Sequence, residues 1–225
     1  MTVSPRRAII RTYRAEITFI LALGAYAVMA VLAHRYAYFG WDLWLARLIQ
    51  SITLPGFNLL MVLVSELGNG WKAFAIVIAA GVGLILLRFR IEAVLCMAGV
   101  GLGSLVNRLL KYISARPRPL GTLVDVTGQF NHESFPSGHV VFYIHFFGFL
   151  FFLSYVLLRR GRLRRAALVL TGFLISIIGV SRVYLGAHWP SDVVGAYLAG
   201  GLWLMLMIEV YRRLEIRKQK LDTTV

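Results

Sequence analysis

Three short stretches of this 225-residue chain hold side chains that could do chemistry. The first is Lys111, Tyr112, Ile113, Ser114, Ala115, Arg116, Pro117, Arg118, Pro119. The second is Phe135, Pro136, Ser137, Gly138, His139. The third runs Ser181, Arg182 and then, after a gap, His188, Trp189, Pro190, Ser191, Asp192. A carboxylate four residues after a histidine can reach it across one helical turn, fix the ring tautomer and stabilise the imidazolium, which suits a nucleophile or a base. Ser137 can cap a helix, Gly138 lets a ligand approach the backbone, and the free amides of a first turn bind anions. Taken singly, each stretch also fits a structural part: cations that end a membrane span, a capped helix with an interfacial histidine, a satisfied ion pair. Taken together, the cations Lys111, Arg118 and Arg182 and the two histidines call for an anion among them, and phosphate suits that set best.

The elements that must bring these stretches together are apolar. The chain is 59% hydrophobic and 15% charged, with a mean hydropathy of +0.73, whereas a soluble domain holds about 45–50% apolar residues. Uncharged runs predict six spans: Ile17 to Ala33, Ala73 to Leu87, Ile91 to Leu109, Val140 to Leu158, Ala166 to Val180 and Val193 to Val210. Between the first two, Tyr36, Tyr38, Trp41, Trp44 and Trp71 have the composition of an interfacial belt. A helix over Asp42 to Ile52 is expected to lie on that surface with Asp42, Arg47, Gln50 and Ser51 as its polar positions. Phe57 to Val64 is too short to cross alone. Gly81, Gly83, Gly99, Gly101 and Gly103 fall inside spans, where close helix packing is the expected use. The first span follows a basic stretch as a signal peptide would, but its length favours a retained span. The fold class is therefore all-α: one polytopic membrane helix bundle over residues 1–225.

The formal net charge of +14 reads as topology and not as a nucleic-acid surface. If the spans alternate, 16 of the 24 basic residues fall on the side of the termini, in the N-terminal stretch, at Arg88 and Arg90, between Arg159 and Arg165, and in the tail. The positive-inside rule makes that side cytoplasmic. The three reactive stretches then share the outer face, where the rule leaves their cations unexplained. Cys96 stands alone, which excludes an intrachain disulfide and a thiolate metal cluster.

The stretches resemble the three-part signature of the type 2 phosphatidic acid phosphatase superfamily, which includes lipid phosphatases and vanadium haloperoxidases. Lys111 is followed after six residues by Arg118 and Pro119. Pro136, Ser137, Gly138 and His139 make the second part, and Ser181, Arg182, His188 and Asp192 the third. The resemblance covers about residues 70 to 210. It implies that His188 attacks phosphorus and carries a phosphohistidine, that Asp192 orients it, and that His139 protonates the leaving group. Lys111, Arg118, Arg182, Ser137 and the Gly138 amide would hold the phosphoryl oxygens. Arg116 stands outside the family spacing and is expected to face headgroups or water.

No cofactor or metal is implied: the stretches hold neither paired acids for magnesium nor zinc-ligand spacing. Six spans with an outer site suggest a phosphorylated lipid in the inner membrane: phosphatidic acid, phosphatidylglycerol phosphate, undecaprenyl diphosphate or a lipid A type phosphate. Asn131, His132 and Glu133 are candidates for the headgroup, or a solvated loop. A phosphotransferase with a lipid or sugar acceptor, a transporter and a vanadium-dependent peroxidase are the other classes open.

Overall fold

The structure, a computed structural model, describes residues 5–130 and 132–222. Among them are eight helices and no strand: α1 (Pro5–Arg35), α2 (Gly40–Gln50), α3 (Phe57–Glu66), α4 (Gly70–Leu86), α5 (Arg90–Ser114), α6 (Gly138–Leu157), α7 (Arg162–Tyr184) and α8 (Pro190–Asp222). The chain is an integral membrane protein. Five helices are long and apolar enough to cross a bilayer; α3 and α4, bent by 65° at the break between them, meet the same test as a pair. The bundle thus has five or six spans against the six expected. The helices overrun the expected spans because charge ends an apolar run without ending a helix: α7 begins in Arg162, Arg164 and Arg165, and α8 continues through Arg212 and Arg213.

α6 is the most buried span and packs against α5, α7 and α8. Its Phe142, Phe146, Phe147 and Phe149 with Val140, Ile144 and Leu153 form the core with Val100 of α5, Ile178 of α7 and Val193 and Met207 of α8. α1 lies outside, against α5 and α8. Of the span glycines, Gly81, Gly99 and Gly103 are close-packed, each with no room for a Cβ beside Met97, Met207 and His145 respectively; Gly83 and Gly101 face open space.

Helix direction puts the C-terminal ends of α1, α5 and α7 and the N-terminal ends of α4, α6 and α8 at one end of the bundle. Arg88, Arg90, the cations between Arg159 and Arg165, and Arg212 and Arg213 lie at the other. Helix α2 spans the place expected of the surface helix, with Trp41 and Trp44 exposed, but Asp42 is not on a polar outer face. It is fully buried, because its carboxylate closes a network described below.

Candidate active site

Ser137 occupies the N-cap position of α6, yet its hydroxyl makes no cap bond. That oxygen is buried and without a partner. Gly138 follows; a Cβ there would stand 3.4 Å from Asn107 Nδ2 and 3.7 Å from Lys111 Cε, so the backbone of α6 opens against the last turns of α5. Lys111 Nζ donates to the carbonyls of Glu133 (2.5 Å) and Ser134 (3.2 Å). Across from it, Arg118 donates to the carbonyls of His132 (2.5 Å) and Ala187 (2.7 Å). Arg182, from the last turn of α7, is 3% exposed; it bonds Ser65 through Nη1 and leaves Nε buried and unpartnered.

His188 lies in the link between α7 and α8, shaped by Gly186, whose φ of +66° a glycine adopts without strain. Its Nε2 is 3.4 Å from Arg118 Nη1. A guanidinium only donates, so Nε2 presents its lone pair and the proton sits on Nδ1. Nδ1 is 3.4 Å from Ser134 Oγ and 3.6 Å from Asp192 Oδ2, the latter too long for a hydrogen bond. Ser134 Oγ itself bonds Asp192 Oδ2. The expected pairing of His188 with Asp192 is therefore relayed by Ser134, a serine between two motifs that nothing in the spacing singled out. Burial, then the charges of Lys111, Arg118 and Arg182, holds the His188 imidazole well below the usual histidine range, in the neutral form a nucleophile needs.

Asp192 is the third residue of α8, where Pro190 suits the first helical position. Its Oδ2 also accepts from Trp189 N at 2.9 Å, half of a capping box. Its Oδ1 accepts from Arg116 Nη1 at 2.6 Å, and Arg116 Nη2 lies 3.1 Å from Asp42 Oδ2. The expectation that Arg116 faces headgroups or water is overturned: it is 1% exposed. Two aspartates and the carbonyls of Tyr36 and Ala37 satisfy a charge that water would otherwise have to. Asp42 also accepts from Ser191 N (2.8 Å) and Ser191 Oγ (2.7 Å), so α2 is fastened to the start of α8.

His139 meets a residue the sequence did not mark. Its Nε2 lies 2.8 Å from Asn69 Oδ1, in the bend between α3 and α4. Asn69 Nδ2 donates to Glu66 Oε1 at 2.6 Å; a carboxylate can only accept, which fixes the amide orientation and makes His139 Nε2 the protonated nitrogen. Nδ1 then carries the ring's lone pair. Gly68 is needed beside it, since a Cβ there would stand 2.6 Å from His139 Cδ2. Arg118 Nη1 lies 3.4 Å from His188 Nε2, one aromatic ring lies under both Arg118 and Arg182, and Lys111 Cε stands 3.7 Å from the Cβ position of Gly138, next to His139, so one small region gathers the three stretches.

Phe130 was also missed. Its ring lies under the guanidinium carbons of Arg118 (5.2 Å) and Arg182 (5.3 Å), close enough for cation–π attraction to both. Phe130, Arg118, His132 and Glu133 line a cavity of about 420 Å³ at the mouth of the site. Asn131 lies outside the described residues.

A family model described as "PAP2 superfamily" matches residues 92–216. The chain is 26% identical over 200 residues to phosphatidylglycerophosphatase B of Bacillus subtilis, covering 87% of this chain and 95% of that one. It is 33% identical over 117 residues to a lipid A 1-phosphatase of Rhizobium etli, covering 49% of this chain and 46% of the other. The crystal structure of a transmembrane PAP2 type phosphatidylglycerolphosphate phosphatase from Bacillus subtilis has the same fold, with a TM-score of 0.75 at 23% identity, over 87% of this chain and 96% of that one.

Proposed function

The chain belongs to the PAP2 superfamily, and from that premise we propose that it is a lipid phosphatase that hydrolyses a phosphate monoester or diphosphate of an amphiphilic lipid. The relatives named for phosphatidylglycerophosphate and for lipid A support the substrate class. One observation carries the mechanism: the lone pair of His188 Nε2 faces Arg118, while Ser137 Oγ and Arg182 Nε stay buried without partners. Groups so costly to leave unpaired are accounted for when phosphoryl oxygens fill the space between them.

On this reading His139 takes a second proton on Nδ1 as the anionic phosphate enters, His188 Nε2 attacks phosphorus, the bond to the leaving oxygen breaks, and the His139 imidazolium gives that oxygen the Nδ1 proton. Water then attacks the phosphohistidine, returning the proton to His139 and releasing inorganic phosphate. Ser134 and Asp192 steady the Nδ1 proton of His188 throughout. Lys111, Arg118, Arg182, Ser137 and the Gly138 amide balance the charge on the transferring group, and no metal is required. By the positive-inside rule, the cations gathered at the far end of the bundle support cytoplasmic termini and a site at the outer face of the inner membrane. His132 and Glu133, on the mouth cavity, would meet the headgroup. One domain covers the chain.

The test is purified protein in detergent with chelator, offered a panel of lipid phosphates and diphosphates. Free phosphate is expected from at least one of them; label passed to an added acceptor instead of water would make the protein a phosphotransferase, and no cleavage at all would overturn the reading.

A further inference from the structure

The break between α3 and α4 carries the partners of two groups of the site at once. Ser65, in the last turn of α3, is 3% exposed and accepts a hydrogen bond from Arg182 Nη1. Asn69, at the N-cap of α4, accepts one from His139 Nε2 at 2.8 Å. The two stand four residues apart, ahead of all three motif stretches, and each forgoes the bond that its place in a helix would normally supply. A serine inside a helix commonly bonds the carbonyl one turn back. For Ser65 that carbonyl belongs to Met61, and it accepts from Ser181 Oγ at 2.6 Å, leaving the Ser65 hydroxyl to Arg182.

An asparagine at an N-cap normally turns its oxygen to the free amides of the first turn. Asn69 has the extended backbone of such a cap, φ −87° and ψ 124°, yet makes no side-chain cap bond. Its oxygen goes to His139 and its NH₂ to Glu66 Oε1, and Glu66 is held in turn by Lys72, both side chains 40% exposed. An ion pair so open to solvent adds little stability. What it does is keep a carboxylate, which can only accept, against the Asn69 amide. The two contacts have different consequences. A guanidinium can meet an oxyanion along either of two edges; Ser65 on Nη1 leaves the edge made by Nε and Nη2, and Nε is the atom that is buried without a partner. Asn69 on Nε2 of His139 leaves Nδ1 for the leaving oxygen.

We infer that the turn from Ser65 to Asn69 is a fourth part of the active site, made of positioning residues: Ser65 sets which edge of Arg182 meets the phosphate, and Asn69, oriented by Glu66, sets which nitrogen of His139 meets the leaving oxygen. The inference rests on the lipid phosphatase reading and adds residues to its mechanism. Ser65 and Asn69 act through Arg182 and His139, so a change at either reproduces, in weaker form, the defect of the group it holds. Loss of Ser65 loosens the grip on phosphate whatever the leaving group. Loss of Asn69 weakens proton donation, which matters only where the leaving oxygen needs a proton.

The measurement is kcat/KM in detergent for an alkyl lipid phosphate and for nitrophenyl phosphate, together with the inhibition constant of inorganic phosphate, in each variant. Ser65→Ala is expected to lower kcat/KM on both substrates by the same factor, about tenfold, and to raise the inhibition constant by a similar factor. Asn69→Ala is expected to lower the alkyl-to-nitrophenyl ratio by about tenfold while the inhibition constant moves by less than about twofold. Glu66→Ala, which lets the Asn69 amide turn over, should follow Asn69→Ala. Ser65→Thr keeps a hydroxyl and Asn69→Asp keeps an oxygen for His139, and each should restore its own readout to within about threefold of wild type. The substrate ratio and the inhibition constant are both independent of how much of a preparation is folded, so damaged protein does not imitate the crossed pattern. The same pattern in both alanine variants, unchanged ratio and inhibition constant in both, or no recovery in Ser65→Thr and Asn69→Asp would overturn the inference. Phosphate released from neither substrate by the wild type would sink the phosphatase reading itself, an outcome distinct from an active wild type whose variants lack the crossed pattern.

Discussion

Arg116 and Asp192 form a buried ion pair, Nη1 to Oδ1 2.6 Å apart, with neither side chain reaching solvent. The same guanidinium reaches Asp42 on α2. One arginine therefore joins three parts of the chain, the loop after α5, the short helix α2 and the first turn of α8, and it grips the carboxylate that Ser134 relays to His188. An ion pair at this depth is weak evidence of net stabilisation, but removing one partner leaves the others charged and dry.

Arg116→Ala is accordingly expected to cost about 3–5 kcal/mol of stability, the usual range for a broken buried pair. Arg116→Lys cannot span both aspartates and should lower both the thermal midpoint in detergent and turnover. Thermal unfolding and released phosphate measure the two effects; wild-type values for both variants would mean the network is not formed.

Arg118 and Arg182 are expected to tolerate lysine poorly for a different reason. Arg118 Nη1 lies 3.4 Å from His188 Nε2, Arg182 holds a buried Nε without a partner over the Phe130 ring that also underlies Arg118, and a point charge does not reproduce a planar fork. Each substitution should lower kcat/KM by about tenfold or more, on the order of 1.4 kcal/mol of transition-state stabilisation, with little change in thermal midpoint. A loss of stability equal to that of Arg116→Lys would place them in the scaffold instead.

The proton donor can be isolated by choice of leaving group. His139→Ala should slow an alkyl phosphate far more than nitrophenyl phosphate, whose phenolate scarcely needs a proton. Asn69→Ala, which frees the His139 ring to turn, should show the same pattern to a smaller degree. Equal losses on the two substrates, in either variant, would argue against general acid catalysis by His139.

The charge state of His188 gives a pH test. Burial and three cations lower its pKa, so as pH falls through 6.5, the ordinary value, the ring stays neutral and takes a proton only at lower pH. Bound phosphate offsets the cations and should raise the midpoint again. Histidine ¹⁵N NMR, assigned with His188→Asn, reads this directly; a midpoint at or above 6.5 without phosphate would contradict it.

Much of this was legible in residue order. His139, His188 and the cations Lys111, Arg118 and Arg182 stand out because charge and imidazole are expensive in an apolar chain, and the helices follow from uninterrupted apolar runs. What stayed hidden was what those groups touch. Ser134 and Asn69 are ordinary polar residues in loops, and their roles depend on a relay and a bend that no spacing encodes. Asp42 looked like one polar residue of a surface helix because its partners lie far away in sequence, at Arg116 and Ser191. Arg116 was misplaced for the converse reason: two arginines two residues apart in a proline-bounded loop read alike, and only the fold sends one to the buried aspartates and the other to the histidine.

The central claim is that His188 Nε2 becomes covalently bonded to phosphorus. The most direct measurement mixes purified protein with a lipid phosphate labelled at phosphorus, quenches within a turnover into alkali, where a phosphorus–nitrogen bond survives, and maps the label by mass spectrometry. The expected result is label on His188 in the wild type and none, with no turnover, in His188→Asn. Label on any other residue, or turnover retained by His188→Asn, would contradict the account.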